Sequence, residues 1–209
     1  LGAAVGFSCE NLVCSDQTHT TNLRVATEED RGKGFTRRKD YTDVDGLVTN
    51  VPGLVLATFY ADCVPLYLVD PVRRCIGLSH AGWRGTAGKI GKKTAELMTE
   101  QYGSRPEDLL AAIGPSICQS CYEVSEDVIE KFREAFDERF HTELFYEKGG
   151  GKYQLNLWRA NELAFLEAGL RPENIAVTDV CTCCNPALLF SHRASKGRRG
   201  NLGAFLMLK

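Results

Sequence analysis

No run of eighteen apolar residues occurs anywhere in the 209-residue chain, so no segment is long enough to cross a bilayer as a helix. No charge sign dominates either. Lys and Arg number 25 against 27 Asp and Glu, a formal net charge of -2, which argues against nucleic-acid or membrane-surface binding by bulk electrostatics. Internal repeats and Pro/Gly/Ser-rich linkers are absent, so residues 1–209 read as a single domain. Histidine is scarce: His19, His80, His141 and His192 must carry whatever imidazole chemistry there is. The chain starts at Leu1 with no initiator Met, signal peptide or presequence, and the expectation is that a front segment is missing.

Cysteine, by contrast, is plentiful, and its nine copies are an odd number. Their placement does not match the disulfide framework of a small secreted scaffold, and free thiols in a reducing cytoplasm are expected. With 44% apolar residues the chain can bury a core without staples. Patterning predicts strands over 23–25, 54–60, 109–113, 175–180, 188–190 and 204–208, and helices over 86–102, 128–140 and 157–168. Gly103 and Gly169 fit helix C-terminal caps, and Ser125 fits an N-cap. Residues 27–45 lack a sustained apolar period. Their basic cluster (Arg31, Lys33, Arg37, Arg38, Lys39), interleaved with acids, reads as a solvated loop. At least one hairpin interrupts βαβ alternation, so the expected class is α/β: a mixed-sheet layered sandwich with helices packed on the sheets.

That hairpin is the organising stretch. Apolar runs 64–69 and 75–78 flank Asp70-Pro71-Val72-Arg73, where proline pre-sets a turn. A turn centred between Pro71 and Val72 sets Cys63 across from His80, on one face. A thiol beside an imidazole supports either a Cys–His nucleophilic pair or part of a zinc site, with a buried Cys next to a core His as the plain alternative. Asp62 could orient a ligating imidazole. Trp83 offers a stacking surface and Arg84 a fork for phosphate or carboxylate. His19 suits a further ligand and His192 a substrate contact, whereas His141, at a helix end, suits a stabilising surface role. Cys181-Thr182-Cys183-Cys184 resembles half a zinc knuckle. No second pair at matching spacing follows it, and buried small thiols are expected there.

Asp62-Cys63-Val64-Pro65, His80-Ala81-Gly82-Trp83-Arg84-Gly85, Gly114-Pro115-Ser116-Ile117 and Tyr122-Glu123-Val124 together resemble the laccase-domain family. That family is also called polyphenol oxidoreductase, purine nucleoside phosphorylase or peptidoglycan editing factor. Gln17-Thr18-His19 resembles its Gln-x-His element. Ser191-His192-Arg193 with Gly197-Arg198 resembles its C-terminal Ser-Tyr-Arg-Arg and Gly-Arg segment, His192 standing where many members have Tyr. The family's N-terminal Arg-x-Gly-Gly stretch is absent, and the 27–45 insertion looks like that of bacterial members.

The resemblance implies one zinc ion on His19, Cys63 and His80, with a fourth position open at which zinc would acidify water. It implies phosphorolysis of adenosine, inosine or guanosine and deamination of adenosine, with a purine nucleoside and phosphate as partners. Cys63, His80, Arg84 and Asp62 are the candidate catalytic residues, and Arg84, Trp83, His192, Arg193 and Arg198 the candidate substrate contacts. No nucleic-acid or membrane partner is expected, and a homo-oligomer is left open. Four histidines are too few for a multicopper centre, although a single copper on two His and one Cys fits a polyphenol oxidoreductase. A Cys63–His80 hydrolase editing peptidoglycan precursors is the other enzymatic alternative, and a non-catalytic nucleoside-binding protein is the third.

Overall fold

The organising hairpin is present in a computed structural model that describes residues 2–209, but its register differs from the expectation. Asp70 pairs with Cys75 and Pro65 with His80, so the loop is Pro71–Arg74 and the pairing is offset by two residues. The Asp70 carboxylate moves the turn: it accepts the N–H groups of Val72 at 2.8 Å and Arg73 at 2.9 Å. Arg74 then closes the loop in the left-handed region, at φ 52°. Because side chains alternate with period two, an even offset leaves Cys63 and His80 on the same face.

In chain order the elements are α1 (Gly2–Val5), β1 (Leu12–Cys14), β2 (Leu23–Val25), β3 (Gly46–Thr49), β4 (Val55–Tyr60), β5 (Val64–Asp70), β6 (Cys75–Ala81), α2 (Trp83–Ala87) and α3 (Ile90–Tyr102). There follow β7 (Leu110–Ile113), β8 (Glu123–Ser125), α4 (Glu126–Ala135), α5 (His141–Leu144), β9 (Phe145–Gly149), β10 (Lys152–Leu155), α6 (Leu157–Glu167), β11 (Ile175–Val177) and β12 (Leu202–Met207). A six-stranded mixed sheet in the order β11-β7-β5-β6-β3-β2 forms the middle layer. On one face it carries α3 and α6; Leu66, Leu68, Ile90, Met98 and Phe165 fill that interface. On the other face lies the three-stranded sheet β1-β4-β12, with Leu47, Leu56, Ile76 and Leu78 between the two. The mixed-sheet layered α/β expectation holds. A small antiparallel sheet, β8-β10-β9, stands beside them.

Burial on both faces explains why β5 and β6 read as continuous apolar runs. Gly77 marks the closest helix approach: a Cβ there would lie 2.7 Å from Thr94 and 3.2 Å from the Met98 sulfur. The 86–102 helix is divided at Gly88–Lys89, where Lys89 adopts φ 56°. The 128–140 helix starts at Glu126 and ends at Ala135, because Phe136 turns extended to pack in the core. Residues 188–190 are not a strand but a turn, with Leu188 85% exposed. His141 is not at the end of the 128–140 helix but half-buried at the start of α5, its Nε2 lying 2.9 Å from the Phe136 carbonyl.

Residues 27–45 are a solvated loop only in part: Arg37 and Arg38 are exposed as expected, but Lys33 is not. Lys33 is buried between Asp30 at 2.8 Å and Asp40 at 2.9 Å, and Lys39 pairs with Asp16. Gly32 N–H donates to Leu12 O and Cys14 N–H to Lys33 O, which lays the segment along β1. No helix among the described residues is long and apolar enough to cross a membrane.

Candidate metal centre

Three side chains far apart in sequence meet where β5 begins and β6 ends. His19 comes from the loop between β1 and β2, Cys63 from the turn entering β5, and His80 from the last turn of pleat in β6. One donor atom from each lies within 4.8 Å of the other two. Cys63 Sγ is 3.9 Å from His19 Nε2, and the two imidazoles meet edge to face with centroids 4.9 Å apart. His80 is buried, Cys63 half-buried and His19 exposed, so the cluster opens to solvent on the His19 side.

The carboxylate that orients the site is Asp45, not Asp62. The pairing of Gly46 with Ser79 in β3–β6 carries Asp45 to the level of His80. There its Oδ1 lies 2.8 Å from His80 Nδ1, which leaves Nε2 for the cluster. The same carboxylate accepts the backbone N–H groups of Thr18 at 3.0 Å, His19 at 3.2 Å and Thr20 at 2.8 Å, and so fixes the His19 loop. His19 itself sits at φ 66°, an uncommon conformation that these bonds hold. Gln17 clamps the loop from the other side by bonding both backbone groups of Phe59.

Asp62 does something else. Its Oδ1 accepts from Thr182 Oγ1 and its Oδ2 from the Arg193 N–H, both at 2.7 Å. It therefore joins the turn before Cys63 to the loops that wall the cleft. Asp45 was missed because it ends a charged stretch that has no element-like pattern. The weak signal was an acid immediately before an apolar strand.

The site's charges reinforce one another. Burial opposes the Cys63 thiolate, but hydrogen bonds and charge from His19 and His80 outweigh it and hold the thiol down at about 7. Burial likewise opposes a His80 imidazolium, yet Asp45 and then Cys63 lift its pKa to about 9. Asp45, though desolvated, is held below the usual carboxylate range by His80 and the Thr20 and Thr18 amides.

Gly82 is required beside the cluster. A Cβ there would lie 2.7 Å from His19 Cδ2 and 3.3 Å from Cys63 Sγ. The donors are one thiol and two imidazoles, borderline-soft groups suited to zinc or to a single copper, and the chain's residues fit such an ion.

A cleft of about 370 Å³ adjoins the cluster, lined by Trp83, Arg84, Tyr122, His192, Arg193 and Arg199 as well as His19 and Cys63. The Arg84 guanidinium stacks on Trp83 with its carbon 4.2 Å from the ring centroid. Arg84 has no acidic partner within 4.0 Å among the described residues, and it is exposed. Arg193 lies 5.4 Å over the Tyr122 ring. Burial pushes the Tyr122 phenol up, so it stays a neutral donor. Arg198 does not line the cleft; Arg199 does. The Arg198 N–H donates to Ser195 O at 3.2 Å in the basic turn, and Arg199 follows directly after it.

The family model described as multi-copper polyphenol oxidoreductase laccase matches residues 1–209. Purine nucleoside phosphorylase YlmD of Bacillus subtilis is 38% identical over 204 residues, covering 96% of this chain and 72% of that protein. Adenosine deaminase RL5, from an unknown prokaryotic organism, is 36% identical over 194 residues, covering 92% and 73%. The crystal structure of YlmD from Geobacillus stearothermophilus superposes with a TM-score of 0.93 at 38% identity, covering 100% of this chain and 77% of that one. A match over the whole length, together with this agreement in fold, means that the chain belongs to the multi-copper polyphenol oxidoreductase laccase family.

Proposed function

We propose that the chain is a zinc-dependent enzyme of purine nucleosides, acting in the cytoplasm. It would catalyse phosphorolysis of adenosine, inosine and guanosine and deaminate adenosine. The observation that carries this reading is the convergence of His19, Cys63 and His80 on one side of a cleft otherwise lined by arginines and aromatic rings. Relatives named purine nucleoside phosphorylase and adenosine deaminase support the substrate class.

Each residue has a part in this reading. His19, Cys63 and His80 hold the ion, and Asp45 fixes the tautomer of His80 and the backbone of the His19 loop. Zinc, when bound, supplies Lewis acidity toward an oxygen ligand. Trp83 gives a half-buried flat surface against which a purine stacks. Arg84, with Arg193 and Arg199, gathers positive charge for the phosphate nucleophile and for the charge that develops as the glycosidic bond breaks. Asp62 acts by holding Thr182 and Arg193 against the cleft.

A second reading is favoured by one specific feature. Cys63, at a pKa of about 7, is near a His80 that is itself oriented by Asp45, the arrangement of a nucleophilic cysteine with its base. One experiment separates the two. The purified protein is analysed for bound metal, and adenosine is incubated with and without phosphate. Free adenine with ribose 1-phosphate supports phosphorolysis, and inosine supports deamination. Zinc bound with neither product overturns the nucleoside reading. Activity that survives chelation but is lost on alkylation of Cys63 by iodoacetamide establishes the hydrolase instead.

A further inference from the structure

Outside the His19–Cys63–His80 cluster, four more thiols come together. Cys118, Cys121, Cys181 and Cys184 each offer a sulfur within 4.8 Å of the other three. In sequence they are two Cys-x-x-Cys pairs, Cys118-Gln119-Ser120-Cys121 and Cys181-Thr182-Cys183-Cys184, separated by residues 122–180. No matching pair follows Cys181–Cys184, but one precedes it, and the expectation of buried small thiols fails because only Cys181 is buried while Cys183 is half-buried and Cys184 exposed.

The topology makes the meeting unavoidable. β7 and β11 are parallel neighbours, with Ile113 paired to Val177, so the chain leaves both strands in the same direction. The two exit segments stay in register through the Ser116–Cys181 bridge, with Ser116 N–H donating to Val180 O and Thr182 N–H to Ser116 O. Each then presents its Cys-x-x-Cys at the same height.

The geometry points to a second metal site: we propose that Cys118, Cys121, Cys181 and Cys184 bind one structural zinc ion as a tetrathiolate. A tetrahedral ion with Zn–S bonds of about 2.3 Å has sulfur–sulfur edges of about 3.8 Å. Cys121 Sγ and Cys118 Sγ lie 3.5 Å and 3.9 Å from Cys184 Sγ. All four cysteines are free, so no disulfide competes for them in this arrangement. Two backbone N–H groups, from Cys118 at 3.3 Å and Cys184 at 3.4 Å, point at Cys181 Sγ, which suits a sulfur carrying thiolate charge. Cys183, between the last two, is not one of the four mutually close sulfurs and packs against the core.

All four positions are filled by protein sulfur, so the ion has no open side and its role is to brace. What it braces is the wall of the cleft. Thr182, inside one pair, holds Asp62, and Tyr122, immediately after the other, lines the cleft. The proposal does not rest on the nucleoside reading, and the two can fail separately.

The test is metal stoichiometry on the full chain, prepared under reducing conditions with zinc present. The wild type is expected to carry two zinc ions per chain. His19→Ala removes one and leaves the other. The Cys121→Ser/Cys184→Ser double variant removes the other, and Cys183→Ser keeps both. If the double variant does not fold, cobalt substitution of His19→Ala gives an independent readout: a tetrathiolate site shows intense sulfur-to-cobalt charge-transfer absorption. Any one of three results overturns the proposal: a His19→Ala protein without metal, iron in place of zinc at these sulfurs, or recovery of the four cysteines as disulfides from reduced preparations.

Discussion

Asp45 Oδ1 lies 2.8 Å from His80 Nδ1, and the backbone carbonyl of Asp45 accepts the His80 N–H at 2.7 Å. One residue thus fixes both the ring and the backbone of a ligand, while its carboxylate gathers three consecutive amides around His19. The two histidines of the candidate centre are oriented by a single buried group.

Replacing Asp45 by Asn keeps the shape but removes the charge and leaves one amide group facing donors. The expected outcome is a loss of about 10–100-fold in metal affinity at His19, Cys63 and His80, measured by competition with a chelator. Occupancy of the four-cysteine site should be unchanged in the same titration.

Gly82 is extended, at φ -72° and ψ 179°, a conformation that alanine adopts freely. Gly82→Ala should therefore fold normally, with a thermal midpoint close to that of the wild type. The added methyl would overlap His19 and crowd Cys63, and a displacement of this size is expected to lower turnover by about 10²-fold. Full activity in the variant would mean that His19 is not a working ligand.

Arg84 distinguishes the two proposed reactions, because only one of them consumes phosphate. A hydrogen bond to a charged group contributes about 1.5–3 kcal/mol, so Arg84→Ala should raise the KM for phosphate by about 10–100-fold. Formation of inosine from adenosine without phosphate should change far less. Equal losses in both would move Arg84 from phosphate binding to a shared role.

Asp30 sets an acid limit on stability. Burial works against its carboxylate, but Lys33, the Thr27 amide and Arg24 outweigh this and lower its pKa from 3.8 to about 2. The folded value lies below the unfolded one, so the contribution is complete above about pH 4 and disappears as pH falls toward 2; it is worth about 2 kcal/mol. Denaturant unfolding of the wild type and Asp30→Asn should differ by that amount at pH 6 and converge near pH 2. A constant gap would show that the carboxylate charge is not responsible.

The sequence by itself was enough for much of this. Turn chemistry around Pro71 and the apolar runs beside it marked the hairpin, and period-two alternation put Cys63 and His80 on one face even though the pairing is offset by two. The helix ends at Gly103 and Gly169 were equally legible, since glycine alone takes those left-handed positions without strain. Local patterns carry such information because the forces behind them act over a few residues.

Only the tertiary structure decided the rest. Asp45 reaches His80 because β3 lies against β6, and at the cleft the structure places Arg199 rather than Arg198. Lys33 proved to be buried because two acids surround it. The two Cys-x-x-Cys pairs face each other because β7 and β11 run parallel, an adjacency that no spacing along the chain encodes. Pairing between distant strands is fixed by burial of the sheet as a whole, so contacts that depend on it become visible only once the sheet is assembled.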